Sequence, residues 1–157
     1  MPDSRNVNQI SAMLRSHVER SLTELWSLSE LETDCDEDYA FRSETAACWV
    51  SIVPGPDPAV RVFAHAAYDV PKSVRLLTEL NELNQRSRWA KVSWFNGAVL
   101  VDCAIHWTQV DCDSLERALD AVTGVADDIG TMVATVYGGR TPFPLGQDCE
   151  DADEDAA

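Results

Sequence analysis

The sequence predicts an α+β domain in which an antiparallel sheet packs beside three helices. In three segments apolar residues recur every three to four positions, which is the period of an amphipathic helix. The segments between them alternate in polarity or are rich in β-branched and aromatic residues, as strands are. Asn96-Gly97 separates two strand segments and favours a two-residue hairpin turn, because both residues adopt positive φ readily.

The first predicted helix lies within residues 1–31 and begins after Asp3 or Ser4. The acidic stretch 32–38 interrupts its pattern. Its apolar positions follow the three-and-four spacing that places side chains on one side of a helix. They are Val7, Ile10, Leu14, Val18, Leu22, Leu25 and Trp26.

Three strands are predicted to follow. Residues 39–53 are rich in β-branched and aromatic side chains, which indicates a short strand followed by a longer one. Residues 54–58, Pro-Gly-Pro-Asp-Pro, force a turn. Residues 60–68 alternate with the period of a strand that is partly apolar on both faces. One face is expected to hold Val60, Val62, Ala64, Ala66 and Tyr68, and the other Arg61, Phe63, His65 and Ala67.

A second helix is predicted to begin at Pro71, since the fixed φ and missing amide hydrogen of proline suit a first turn. It is expected to end between Asn84 and Arg86, where Asn84 would satisfy backbone groups at the helix end. One broad apolar side is predicted for this helix. It consists of Val74, Leu76, Leu77, Leu80 and Leu83.

The hairpin strands are predicted at 89–95 and 98–109. The last helix is predicted to begin at Asp111 or Asp113, because either carboxylate can accept hydrogen bonds from first-turn amides. Asp113 also has Glu116 three residues later, as in a capping box. The helix ends at Gly138-Gly139, and the order is therefore α-β-β-β-α-β-β-α. The core face of the second hairpin strand is expected to hold Val99, Val101, Cys103, Ile105 and Trp107.

Length and charge limit what the chain can do. We expect one domain, residues 1–143, since 157 residues bury one sizeable core, followed by a disordered acidic tail, 144–157. Residues 148–155 hold six acids and no base, within a net charge of −15. Such a charge repels nucleic acid and anionic membranes. The tail is expected to aid solubility; the alternatives are a lure for basic partners or a guard over a binding face.

The expected location is the cytoplasm. No apolar run approaches the ~20 residues that span a bilayer, and the N-terminus lacks the apolar block of a signal peptide. Five cysteines at irregular spacings predict no disulfide framework and fit a reducing compartment. We expect no membrane partner.

No motif predicts catalysis, a cofactor or a metal. Cys103 and His106 differ by an odd number of positions in a strand and so point to opposite faces, and no paired C-x-x-C exists. The glycine patterns of phosphate-binding loops are also absent. We therefore expect no catalytic, metal-binding or cofactor-binding residues and no enzyme. A small-molecule enzyme stays an alternative, since the spatial neighbours of His65 and His106 do not follow from the sequence.

The second face of the sheet is the candidate partner surface, because it is too apolar for a surface that only meets solvent. Trp89 and Trp94 are five positions apart in one predicted strand, so they point to opposite faces and one should lie near the surface. The alternative is that the first helix or the loop 32–38 covers this face. The candidate partner-binding residues are Trp49, Phe63, His65, Trp89, Trp94, Leu100 and His106.

Several sequence segments together resemble one known family. They are Asp38-Tyr39-Ala40-Phe41-Arg42, Pro54-Gly55-Pro56 with Val60-Arg61-Val62-Phe63-Ala64, Leu77-Thr78-Glu79-Leu80-Asn81-Glu82-Leu83-Asn84, Leu115-Glu116-Arg117-Ala118-Leu119-Asp120-Ala121-Val122, Ala126-Asp127, Gly138-Gly139 and Thr141-Pro142-Phe143. From residue 6 to residue 143 the chain resembles the YbjN-type, type III secretion chaperone-like proteins of actinobacteria.

That resemblance implies the fold of the class I secretion chaperones, which is commonly dimeric and holds peptides or partner proteins without chemistry. It also implies apolar patches and a sheet edge along which an extended partner chain can lie. We therefore expect a non-enzymatic peptide- or protein-binding module that acts as a homodimer through its sheet or its middle helix. The alternative is a regulatory or structural subunit of a larger complex.

Overall fold

The computed structural model describes residues 4–146, without the side chain of Ser4. The predicted tail lies outside the described residues from position 147 onward. The order of elements confirms the predicted α-β-β-β-α-β-β-α fold. The elements are α1 (Ser4–Trp26), β1 (Tyr39–Arg42), β2 (Ala47–Val53), β3 (Ala59–Ala67), α2 (Val74–Arg86), β4 (Lys91–Phe95), β5 (Ala98–His106) and α3 (Cys112–Tyr137).

The five strands form one sheet in the order β1-β2-β3-β5-β4, and every neighbouring pair is antiparallel. The β4–β5 hairpin turns at Asn96 (φ 47°) and Gly97 (φ 84°), which is the positive-φ turn that the sequence predicts. The register between β3 and β5 shifts between His65 and Ala67. The domain is therefore an α+β fold whose central strand is β3.

Helices α1 and α3 cover one face of the sheet. Under α3 the alternate side chains of β3 are fully buried, as are Val99 and Val101 of β5, whereas Cys103 is only partly buried. Beside them α1 buries Leu14, Val18 and Leu22. At Gly130 an added Cβ would lie 2.6 Å from the carbonyl oxygen of Ala66. Only glycine at this position therefore allows α3 to lie so close to β3. The buried residues of α3 are Leu115, Ala118, Leu119, Val122, Ala126, Ile129, Gly130 and Val133.

Helix α2 begins at Val74, three residues after Pro71, where the sequence predicted its start. The Ser73 side chain accepts a hydrogen bond from the amide of Leu76 at 3.1 Å, and this cap fixes the first turn at Val74. The apolar side is also narrower than predicted, because α2 packs beside the edge strand β4 and buries only Leu76 and Leu80 completely. Val74 is 83% exposed and Leu77 is 37% exposed.

Two expectations near the start of α3 were wrong. Strand β5 ends at His106, and Trp107 begins a short 3₁₀ turn in which it is 36% exposed instead of lying in the core. The cap of α3 is Asp111, whose carboxylate accepts from the Ser114 amide at 2.7 Å while the Ser114 hydroxyl accepts from the Asp111 amide at 2.9 Å. Serine thus completes the capping box that the sequence assigned to Asp113 and Glu116.

No helix among residues 4–146 is long and apolar enough to cross a membrane. Beyond α3 the chain returns to the sheet, where Arg140 exchanges two backbone hydrogen bonds with Tyr68 at 2.8 and 3.0 Å. The Phe143 amide then donates to the Thr45 carbonyl at 3.0 Å. At Phe143 the chain therefore passes beside the turn that joins β1 to β2.

Candidate functional site

The face of the sheet opposite α1 and α3 carries a continuous set of partly exposed side chains. Residues paired directly across antiparallel strands share a face, so the register defines this surface in rows. One row joins Ala47, His65, Leu100 and Ser93, and the next joins Trp49, Phe63, Asp102 and Lys91. We call this surface the open face. Its principal residues are Arg42, Ala47, Trp49, Arg61, Phe63, His65, Lys91, Ser93, Leu100 and Asp102.

Aromatic rings form the centre of the open face. Trp49 stacks on Phe63 with ring centroids 5.3 Å apart and planes 16° apart, and His65 lies 4.8 Å from Trp49. The edge of Tyr68 contacts His65 at 5.4 Å. All four side chains are half-buried although no helix packs over them, because each ring covers part of its neighbour. The result is a continuous aromatic surface on the sheet.

His65 is held in its neutral form within this cluster. Burial lowers the pKa of His65 from its ordinary value of 6.5, and the positive charge of Arg61 lowers it further. The Nδ1 atom of His65 lies 2.9 Å from the Tyr68 hydroxyl, so the two groups share a hydrogen bond. A neutral imidazole without an acidic neighbour in the cluster contributes apolar surface rather than charge.

Charged side chains surround the rings. The Arg61 guanidinium lies 4.7 Å from the Phe63 ring centroid, and its Nε is 3.4 Å from Asp102 Oδ2. Lys91 is the direct cross-strand partner of Asp102, and the Arg42 guanidinium lies 4.2 Å from the ring of Phe143. Among the strand residues of the open face there are three permanent cations and one carboxylate. The face is therefore positive on a strongly acidic chain.

The structure brings four of the seven candidate residues together: Trp49, Phe63, His65 and Leu100. His106 shares the open face but lies at its far end, where its Nε2 is 2.5 Å from Asp57 Oδ1 and joins the β2–β3 turn to the end of β5. This histidine does meet an acid, as the enzyme alternative requires. However, the side chain of Asp57 is 73% exposed, so the pair lies on the surface rather than in a deep cavity.

The two remaining tryptophans lie away from the open face. Trp94 points to the helix-covered side, where its Nε1 donates to the Val70 carbonyl at 2.8 Å and its ring packs against the core. Trp89 precedes β4, is 71% exposed and borders a groove that also involves Ile105 of β5 and Arg117 of α3. The structure therefore separates these rings from the central cluster.

Arg61 and Tyr68 were not among the candidates but contact the cluster. Alternation alone points to Arg61, because it precedes Phe63 by two positions and so shares its face. Tyr68 is different: strict alternation would place it with Val60, and the irregularity between His65 and Ala67 reverses this. Ala67 is buried as a result, and the ring of Tyr68 reaches His65.

The two edges of the sheet differ. At the β4 edge, the side-chain amide of Asn84 donates to the Val92 carbonyl at 2.8 Å and accepts from the Val92 amide at 2.7 Å. These bonds take the place of a neighbouring strand. The predicted role of Asn84 at the end of its own helix differs from this, because its partner is the main chain of β4 and the helix is capped by Ser87. At the other edge, β1 is the outermost strand among residues 4–146, and a groove runs between β1 and residues 28–32.

Within residues 4–146 no three His, Cys, Asp or Glu side chains lie where they could hold a metal ion together. The open face offers an aromatic surface, three cations and an adjacent sheet edge. Such a combination recognises an extended chain through apolar side chains and main-chain hydrogen bonds.

Comparisons with known proteins identify this architecture. The model of the family described as "T3SS (YopN, CesT) and YbjN peptide-binding chaperone 1" matches residues 12–145. No curated protein sequence gives a match. Among solved structures, a chain of the ExsC–ExsE complex is similar with a TM-score of 0.61 and 16% identity, over 75% of this chain and 94% of that chain.

Two further structures share the fold. A chain of the HopA1–SchA chaperone–effector complex has a TM-score of 0.60 and 9% identity, over 75% of this chain and 93% of that one. The Yersinia pestis type III secretion chaperone SycH, in complex with a stable fragment of YscM2, is similar with a TM-score of 0.55 and 16% identity. That match covers 76% of this chain and 98% of the SycH-complex chain. Since the family model spans most of the sequence, this chain belongs to the family of T3SS (YopN, CesT) and YbjN peptide-binding chaperones.

Proposed function

We propose that the open face binds an extended segment of a client protein and holds it without catalysing a reaction. The observation that carries this proposal is the Trp49–Phe63–His65 cluster, which is aromatic, half-buried and not covered by any of the three helices. Aromatic side chains on a rigid strand lose little conformational entropy on binding and present a large contact area. They are therefore well suited to anchor apolar side chains of a client.

The edge strand β1 supplies the second part of the proposed mechanism. A client strand beside β1 would form main-chain hydrogen bonds while its alternate side chains reach the open face. The opposite edge is less suited to this role, because Asn84 already satisfies both main-chain groups of Val92. The groove between β1 and residues 28–32 would accommodate part of such a strand.

The family and the similar structures support this function. The family description names peptide binding, and one similar chain comes from a chaperone–effector complex and another from a chaperone bound to a fragment of a second protein. The proposed role of this chain is the same in kind, with the identity of the client left to experiment.

We also propose that the chain acts as a homodimer through α2. Val74 is 83% exposed and Leu77 is 37% exposed, and residues three positions apart lie side by side on a helix. Asn81 continues this side one turn later and is exposed as well. Two copies of α2 in contact would bury the apolar pair, and the polar Asn81 would help to set their register.

The client proposal is tested by selecting binders from a displayed random-peptide library with the full-length chain and measuring their affinity by calorimetry. We expect Phe63→Ala and Leu100→Ala to weaken the selected peptides at least about tenfold, because loss of an anchoring side chain costs more than about 1.4 kcal/mol. Trp89→Ala is the matched control, since this exposed ring lies off the open face.

Thermal unfolding of each variant separates lost binding from lost folding. The proposal is contradicted if selected peptides bind folded Phe63→Ala and Leu100→Ala as tightly as the unchanged chain. It is also contradicted if Trp89→Ala alone abolishes binding, because the binding surface would then be the groove beside α3.

A further inference from the structure

The path of the chain after α3 leads to the rim of the open face. Arg140 pairs with Tyr68 through two backbone hydrogen bonds, and its guanidinium lies 5.0 Å from the Tyr68 ring centroid. Tyr68 in turn contacts His65 in the aromatic cluster. The segment that follows α3 is thus attached to the same group of rings that forms the proposed client site.

Phe143 lies at this rim, whereas Pro144 and Leu145 lie beside Thr131 and Thr135 of α3. The Phe143 amide donates to the Thr45 carbonyl in the β1–β2 turn, and the Phe143 ring lies 4.2 Å from the guanidinium of Arg42 on β1. Arg42 is paired with Ala47, which begins the row that includes His65 and Leu100. Gly146, only three residues after Phe143, is the last described position. The described chain therefore passes the edge of the open face at Phe143 before it reaches α3.

The charges of the remaining segment and of the open face are opposite. Residues 147–157 contain six acids and no base. The strand residues of the open face include Arg42, Arg61, Lys91 and one carboxylate, Asp102, and Asp57 lies at the far end beside His106, although the chain as a whole has a net charge of −15. A concentration of cations on an otherwise acidic molecule favours an acidic occupant.

Residues 147–157 are also long enough to extend across the sheet. Neighbouring strands lie about 4.8 Å apart, so β1 and β4 are separated by about 19 Å across the five-stranded sheet. Eleven residues in extended form span up to about 36 Å. The extended length of the segment therefore exceeds the width of the sheet.

We propose that residues 147–157 occupy the open face of their own chain and compete there with the client. The carboxylates would pair with Arg61 and Lys91 and with Arg42 at the rim, over the aromatic cluster. This inference rests on the proposed function for its competitive role, but occupation of the face by the segment is a separate property and can be measured without a client.

The expected competition is moderate. Ion pairs between exposed groups are individually weak and are screened by salt. A segment joined directly to the rim is nevertheless present at an effective concentration on the order of millimolar. We therefore expect the occupied face to bind a client roughly two- to tenfold more weakly than the unoccupied face.

The test compares the full-length chain with a tail-neutral variant of equal length in which all six acids are replaced by their amides. The substitutions are Asp148→Asn, Glu150→Gln, Asp151→Asn, Asp153→Asn, Glu154→Gln and Asp155→Asn. A control variant, Glu116→Gln with Asp120→Asn and Asp128→Asn, neutralises exposed acids of α3 and separates a specific contact from a change in net charge.

Backbone amide spectra recorded by nuclear magnetic resonance report occupation directly. We expect the tail-neutral variant to shift the amides of Arg61, Phe63 and Asp102, the control variant to leave them unchanged, and high salt to remove the difference. Lys91→Gln should reproduce part of this shift, whereas Arg117→Gln on α3 should not. Unchanged open-face amides would overturn the proposal, as would a shift that depends on protein concentration, which would place the segment on a second copy.

Client affinity then distinguishes the two proposals. If the tail-neutral variant binds selected peptides two- to tenfold more tightly and the control does not, competition is established. If the amides shift but no peptide binds at the open face, the proposed function fails while occupation by the segment stands. If peptides bind the open face with equal affinity in both variants, competition is refuted while the client site stands.

Discussion

The side chain of Asn84 in α2 forms two hydrogen bonds with the main chain of Val92 in β4, at 2.8 and 2.7 Å. A single amide thereby binds α2 to the sheet and closes the β4 edge at its centre. Replacement of Asn84 would leave a main-chain donor and acceptor without these partners. Unpaired main-chain groups at a sheet edge allow a strand of another chain to pair with that edge.

We expect Asn84→Ala to lower the free energy of unfolding by about 1–3 kcal/mol, the cost of leaving partly buried polar groups unsatisfied. Urea denaturation measures this change. Glu82→Ala, on the exposed side of the same helix, should stay within about 0.5 kcal/mol of the unchanged chain. Equal effects of the two substitutions would show that the Asn84 bonds contribute nothing specific.

Two glycines of α3 should respond in opposite directions to the same substitution. Gly130→Ala would place a Cβ 2.6 Å from the Ala66 carbonyl oxygen, so α3 and β3 must separate, at a cost of about 1–3 kcal/mol. Gly124→Ala has no heavy atom within 4 Å of the new Cβ and should stabilise the helix by about 0.5–1 kcal/mol. Thermal unfolding of both variants tests the tight approach of α3, which a stabilised Gly130→Ala chain would disprove.

Asp127 of α3 fixes the turn between β1 and β2. Its carboxylate accepts hydrogen bonds from the Ser43 hydroxyl at 2.8 Å and from the Thr45 amide at 2.9 Å. We expect Asp127→Ala to cost about 2–4 kcal/mol in urea unfolding, because charge-assisted bonds to a buried turn are lost together. Asp128→Ala, its exposed neighbour, is the control and should change little. Similar losses in both variants would contradict the anchoring role.

The fold followed from the sequence because its signals are local. Asn96-Gly97 takes positive φ at both positions, and the alternating residues of β5 divide into buried and open sides up to His106. The start of α2 was misplaced because Ser73 supplies a cap, which outweighs the preference of Pro71 for a first turn. Trp107 was misplaced because the hydrogen bond from the Thr108 amide to the His106 side chain ends the strand before it.

The central residues of the site could also be predicted from the sequence, because their signals are local as well. Period-two alternation places Phe63 and His65 on one side of β3, and antiparallel pairing then brings Trp49 and Leu100 beside them. Tyr68 could not be assigned this way, since consecutive alanines before it give no signal for the irregularity that rotates it outward. Trp94 could be assigned as well, since it pairs with Val99 across the Asn96-Gly97 hairpin and therefore shares the covered face, where its Nε1 donates to the Val70 carbonyl.

Acid should weaken the fold through His65. Burial and Arg61 lower the pKa of His65 below 6.5, so below about pH 6.5 the unfolded chain binds more protons than the folded chain does. The contribution of His65 to stability is therefore complete above about pH 6.5 and is lost as the pH falls toward its folded pKa. Urea unfolding across this range should show a smaller decline for His65→Gln than for the unchanged chain. Equal declines, or a titration of His65 above 6.5 by nuclear magnetic resonance, would refute this account.

The proposed dimer surface on α2 can be tested with one charge. Leu77→Glu places a carboxylate beside Val74, where burial against a second copy would require its desolvation. We expect light scattering of the unchanged full-length chain to give twice the chain mass of 17.3 kDa and the variant to give the single-chain mass. Met13→Glu on α1, where the methionine is 72% exposed, is the matched control and should stay dimeric. Two outcomes would exclude α2 as the dimer surface: a single-chain mass for the unchanged protein, or an equal loss of dimer in Met13→Glu. The proposed peptide site on the open face would be unaffected, because it depends only on contacts within one chain.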